Sequence, residues 1–139
     1  MKALTISQPF ASLIASGEKW IENRSWPTNH RGPLAIHAGK GTQYLAREEL
    51  AEYQTGCVIA VAKLAACVQM DVIRNNGQNA INRRLWIPCT NKTWADACDH
   101  QHAEGPWCWI LEDVLLVEHV PIRGAQGLWD LNVSLRECV

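Results

Sequence analysis

The stretch from Cys57 to Val68 (CVIAVAKLAACV) constrains the fold more than any other part of the chain. It is an apolar run rich in β-branched and small residues, broken by Lys63 alone. A run of this length without polar alternation predicts a strand covered on both faces. A chain that must cover both faces of one strand needs further layers around it, and 139 residues are enough to supply them within one domain. With 47% hydrophobic and 19% charged residues, the composition excludes a disordered chain.

The remaining elements follow from local pattern. Lys2 to Ile6 alternates Leu4 and Ile6 and predicts a strand. Ser7 is then expected to cap a helix with Pro9 in its first turn, Phe10, Leu13 and Ile14 at helical spacing, and Gly17 as its stop. Trp20 to Trp26 predicts a strand ended by Pro27, with Trp20, Glu22, Arg24 and Trp26 on one face and Ile21, Asn23 and Ser25 on the other. A turn at Arg31-Gly32-Pro33 leads into a strand from Leu34 to Ala38. A second helix is expected from Thr42 to about Tyr53, with Leu45, Leu50 and Tyr53 inward. Residues 71–104 are interrupted by asparagines and predict an irregular insertion with short helices near Ile73 and Trp94. Trp107 to Val120 predicts a long strand, and Leu128 to Leu131 a short closing one. Together these elements predict a single α+β domain over 1–139, a small, partly closed mixed barrel with two or more helices at its rim.

The net charge of −1 excludes a broadly basic nucleic-acid coat. The distribution is uneven, however. Residues 1–47 hold six bases and two acids, a surplus of +4, and the remainder holds seven bases and twelve acids, a deficit of −5. A polyanion would therefore meet the N-terminal third. Seven of the ten aromatics are tryptophan, which serves base stacking as well as core filling. Six cysteines without a CxxC pair, and the absence of a leader-like or membrane-spanning apolar stretch, lead us to expect a reducing cytoplasm and no membrane.

Two clusters carry chemistry. In Gly17-Glu18-Lys19-Trp20-Ile21-Glu22-Asn23-Arg24, the strand sets Glu22 beside Arg24 while Lys19 lies in the preceding turn. An acid between two bases suits an anionic or amide-bearing ligand, and Trp20 and Trp26 are placed to stack a base. The competing reading is a surface ion pair with the tryptophans in the core. The second cluster is Arg31, His37 and Lys40 among Gly32, Gly39 and Gly41, where backbone N–H groups can cradle a phosphate. A lone strand histidine is more often structural, and His37 is open to both readings. Cys89, Cys98, His100, His102 and Cys108 lack the paired spacing of a zinc site, so no metal and no cofactor is expected. No GxSxG elbow marks a serine hydrolase.

Gly17-x-Lys19-x-x-Glu22-x-Arg24 resembles the signature of the ASCH domain family, whose fold is similar to the PUA domain. Leu4 to Ala11, Asn23 to Thr28, Arg31 to Ala38, Gly105 to Asp113 and Gly127-Leu128-Trp129 resemble further segments of that family, so the likeness covers about three-quarters of the chain. The resemblance implies a small PUA-like β-barrel with a cleft beside its first helix, lined by Lys19, Glu22 and Arg24, that binds single-stranded RNA or a nucleotide or nucleoside. It also implies an alternative. One branch of the family resembles amidohydrolases that deacylate N4-acetylcytidine with a Lys, a Thr and a Glu, and other members are thought to cleave RNA with a divalent metal. In an enzyme of that kind Lys19 and Glu22 would be the catalytic pair. The Lys matches Lys19, and the Thr falls where this chain has Glu22.

Overall fold

The computed structural model describes residues 1–69, 71–75, 78–82 and 105–138. The strands are β1 (Lys2–Ile6), β2 (Ile21–Arg24), β3 (Gly32–Ala38), β4 (Cys57–Gln69), β5 (Asp71–Asn75), β6 (Gln78–Asn82), β7 (Trp107–Pro121) and β8 (Leu128–Asp130). Among the described residues there is one α-helix, α1 (Phe10–Ala15), and one 3-10 turn at Arg47–Glu49. Six strands hydrogen-bond in the order β2-β7-β4-β3-β1-β8, and β5 and β6 form a separate pair. The chain divides into two compact units, to both of which β4 and β7 contribute.

The first unit holds residues 1–19, 33–63 and 113–139. In it β1 lies between β3, its parallel partner (Ala3↔Ala35, Ile6↔Ala38), and β8, its antiparallel partner (Lys2↔Asp130, Leu4↔Leu128). Ala3, Ala35, Val58, Val117 and Leu131 form a buried cluster against which Val61, Val120, Ile122, Trp129 and Leu135 pack. Each comes from a different stretch of sequence, so this core exists only when β1, β3, β4, β7 and the segment after β8 are all in place. The second unit holds residues 20–32 and 64–112. There β2 pairs antiparallel with β7 (Ile21↔Ile110, Glu22↔Trp109, Asn23↔Cys108, Arg24↔Trp107), and Ile21, Trp109, Cys108 and Leu111 are fully buried. The apolar run of β4 is covered as expected: it is buried from Cys57 to Val68 except at Val61, which is half-buried, and Lys63, which is exposed.

Three expectations need correction. The second helix does not form. Residues 42–53 make turns around Arg47–Glu49, with Leu50 exposed. Leu45, Leu50 and Tyr53 are too sparse to give a helix of this length an apolar face, and packing of such a face supplies most of a short helix's stability. Ser7 is not a side-chain cap either. The N-cap is Pro9, and the buried Gln8 does the capping: its Oε1 accepts the Ser12 N–H at 2.9 Å, while its Nε2 donates to the Gln54 carbonyl at 2.8 Å. Finally, the insertion is not irregular throughout. Near Ile73, where a helix was expected, β5 and β6 pair antiparallel from Asp71↔Asn82 to Asn75↔Gln78. The helix expected near Trp94 lies outside the described residues.

Candidate functional site

The two-residue period of β2 brings Glu22 and Arg24 together. Arg24 donates from Nη2 to Glu22 Oε2 at 2.8 Å, with side-chain exposures of 24% for Arg24 and 10% for Glu22. A carboxylate so withdrawn from water is held by its partner, because desolvating it alone is costly. On the opposite parity Ile21 is buried. Asn23 Oδ1 accepts from the Gly105 N–H at 2.9 Å and from Cys108 Sγ at 3.4 Å, which fastens the start of β7 to β2. Trp26 is half-buried, edge-on to Trp109 at 4.9 Å, and its carbonyl accepts the Trp109 indole N–H at 3.3 Å. Trp26 thus packs within the second unit. Trp20 is half-buried, and its carbonyl accepts the Leu111 N–H at 2.8 Å. Arg31 is exposed, and its Nη1 donates to the Thr28 carbonyl at 2.9 Å and the His30 carbonyl at 2.8 Å. Burial pushes the nearby Cys67 thiol up, against the smaller downward effects of a backbone hydrogen bond from Thr28 and the charge of Arg31.

Lys19 closes the first stretch of the first unit. α1 ends at Ala15, Gly17 takes φ +84°, and the Lys19 N–H returns to the Leu13 carbonyl at 3.0 Å. This bend leaves Lys19 3% exposed, two residues before β2 begins.

His37 and Lys40 belong to a different constellation, also in the first unit. His37 is 2% exposed. Its Nε2 lies 2.7 Å from the Ile122 carbonyl, which can only accept, so Nε2 carries the proton. Nδ1 is then the acceptor for the Thr5 hydroxyl at 3.2 Å, and Thr5 Oγ1 in turn accepts the Trp129 indole N–H at 3.1 Å. The Trp129 ring meets the imidazole edge-on at 5.5 Å. This chain of bonds ties the loop after β7 to the ends of β1 and β3. Above it opens a cavity of about 700 Å³ lined by Thr5, His37, Gly39, Lys40, Gly56 and residues 121–126. Of this lining, the sequence singled out His37, Lys40 and Gly39. It missed Thr5, Arg123 and Gln126, for which the one local signal is a base beside a glycine at Arg123-Gly124.

Among the described residues no group of three or more His, Cys, Asp or Glu is placed to hold a metal. Cys89, Cys98, His100 and His102 lie outside them. No helix among the described residues is long and apolar enough to cross a membrane.

Among the described residues, a six-stranded sheet with one small helix fits the PUA-like class. A solved structure of a mutant ASCH protein from Zymomonas mobilis shares the fold at a TM-score of 0.53 and 16% identity, covering 94% of this chain and 89% of that one. The family model for the ASCH domain matches residues 4–118, and the chain belongs to that family. It is also similar to activating signal cointegrator 1 of Homo sapiens, 24% identical over 96% of this chain and 23% of that protein. With the Mus musculus protein of the same name it is 37% identical over 47% of this chain and 14% of that protein. The chain therefore spans less than a quarter of the length of these relatives.

Proposed function

We propose that this ASCH domain binds single-stranded RNA or a nucleotide, with Arg24 and Lys19 as cations for phosphate and Glu22 as the group that orients Arg24. The observation that carries the reading is the Glu22–Arg24 pair. Its carboxylate is nearly buried, while its guanidinium keeps a quarter of its exposure, so the planar donor is held in one orientation and stays reachable. An Arg fixed in this way has lost its rotamer freedom before the ligand arrives, and it presents a fork that matches phosphate. The +4 surplus of residues 1–47 favours an anionic ligand, and family membership supports an RNA or nucleotide as that ligand. Trp20, half-buried, is our candidate for base stacking. The buried free thiols of Cys57, Cys67 and Cys108 support the placement in a reducing cytoplasm.

Fluorescence anisotropy with a labelled single-stranded RNA tests this. Affinity should fall as salt rises from 50 to 200 mM, by roughly tenfold for two or three phosphate contacts. Arg24→Ala with Lys19→Ala should weaken binding by at least about tenfold with an unchanged circular dichroism spectrum. Wild-type affinity in that folded variant would refute the proposal.

The hydrolase reading draws on the match of Lys19 to the catalytic Lys of the amidohydrolase branch, where it would serve as general base. Glu22 would then position water or act as the acid. Incubation with N4-acetylcytidine, and with labelled RNA with and without Mn²⁺ or Mg²⁺, separates the two readings. Turnover that is lost in Lys19→Ala marks the enzyme, and RNA binding without turnover marks the binding module.

A further inference from the structure

The cavity over the Thr5–His37 pair is built unlike the Glu22–Arg24 site. Its lining among the described residues carries two cations, Lys40 and Arg123, and no carboxylate. Both cations are exposed at the rim, while Gly39, Gly56 and His37 behind them are buried. Two like charges left facing one recess without an acid raise its potential and favour an anion there. Three glycines stand in the wall because side chains pack closely against them, Thr5 on Gly39 and Lys40 on Gly56, in the space a Cβ would take. At Gly124 this is obligatory, because a Cβ would collide with Thr5 Oγ1 and lie 2.7 Å from His37 Cε1. Gly39 follows directly on β3, and its N–H donates to the Ile6 carbonyl at 2.9 Å, so the recess sits where the parallel strands β1 and β3 end. Its volume of about 700 Å³ falls in the range of small-molecule sites.

The floor argues for binding over chemistry. Both ring nitrogens of His37 are engaged by the protein, and Thr5 Oγ1 is enclosed by His37, Trp129 and the Gly124 backbone. The polar atoms of both groups are committed to the protein, and both form a fixed wall. Gln126 adds an amide at the rim that can both donate and accept.

We propose that this cavity is a second binding site that takes the phosphate monoester of a nucleotide, with Lys40 and Arg123 holding the phosphate and the recess beside them receiving the rest of the molecule. The proposal does not depend on the RNA reading of Glu22 and Arg24. It covers a free mononucleotide or the phosphorylated end of an RNA, which present the same group.

Isothermal titration of the full chain with a nucleoside 5′-monophosphate, the uncharged nucleoside and inorganic phosphate is the test. The monophosphate should bind at least about tenfold more tightly than either of the others. In the Lys40→Ala/Arg123→Ala protein the monophosphate should lose that advantage, whereas Lys63→Ala, which removes an exposed cation outside both sites, should keep it. Both cations are exposed, so the double variant is expected to retain its fold, which circular dichroism verifies. Amide shifts of Gly39 and Gly124 on adding the monophosphate should locate the ligand. Equal affinity for monophosphate and nucleoside, or wild-type binding by the double variant, would overturn the proposal. A 5′-phosphorylated oligonucleotide that binds more tightly than both its 5′-hydroxyl form and the mononucleotide assigns the site to an RNA end. A mononucleotide that binds at least as well as the 5′-phosphorylated oligonucleotide assigns it to the free ligand.

Discussion

Thr5 is a small residue with a large structural role. Its hydroxyl accepts from Trp129 and donates to His37, whose other nitrogen donates to the Ile122 carbonyl. Thr5→Val keeps the shape and removes the oxygen, which leaves an indole N–H and an imidazole nitrogen without this partner. Loss of a shared partner for two withdrawn polar groups should cost about 2 kcal/mol, read as a lower urea midpoint with an unchanged slope. At the other end of β1 the Lys2 ammonium lies 2.9 Å from Asp130, directly across the β1–β8 pair. The hydrogen bond and charge of Lys2 hold the Asp130 carboxyl below its ordinary value of 3.8. The folded state therefore binds this proton less readily than the unfolded chain. The pair's contribution is fully present above the ordinary value and is lost as the pH falls through the lowered one. NMR titration of the Asp130 carboxyl should show a low midpoint that returns towards the ordinary value in Lys2→Ala.

At the scale of elements, α1 depends on its exit. Gly17 takes φ +84° and nothing lies within 4 Å of where its Cβ would be, so Gly17→Ala meets backbone strain alone. It should cost about 1 kcal/mol in urea unfolding. A larger loss, or weaker RNA binding, would mean that the strain is passed on to Lys19 two residues later. The sequence shows β1, β2, β4 and β7 clearly because alternation or a continuous apolar run reports burial directly. It shows the Glu22–Arg24 contact for the same reason, since a period of two fixes which side chains meet. It misleads at 42–53, where a cap residue and scattered apolars look helical but no neighbouring surface holds the face. It misleads again at β5–β6, where many asparagines outweighed the Asn76-Gly77 dipeptide, a strong hairpin signal between Asn75 and Gln78. The cavity was half visible. Gly39 and Lys40 stand out locally, but Thr5, Arg123 and Gln126 reach it from distant stretches, and no local pattern reports that meeting.

For the molecule as a whole, the position of β1 governs assembly. Ala3 pairs with Ala35 on one side and with Trp129 on the other, so the first strand of the chain is completed by one of its last. Long-range pairing of this kind must meet its loop-closure entropy before it is rewarded, which places folding in the slow range of sheet proteins. The C-terminal segment contributes unequally along its length. Leu131 is buried in the core of the first unit, and its backbone bonds with Met1 continue the β1–β8 ladder. Beyond it, residues 132–138 add the bridge of Val117 to Glu137, two backbone bonds to β7 and the partly buried Leu135. Removing residues 132–139 should therefore leave a cooperative fold weakened by about 2–4 kcal/mol, mostly through Leu135 and the lost bonds. Removing residues 126–139 takes away β8, Trp129 and Leu131 together, strips β1 of one partner and removes the indole donor from the Thr5 hydroxyl. That loss exceeds what a domain with a total stability of about 5–15 kcal/mol withstands. The shorter chain should show no cooperative urea transition by circular dichroism, while the longer truncation product should unfold in a single step at a reduced midpoint. A cooperative transition in the chain ending at Ala125 would show that β1 is held by β3 alone.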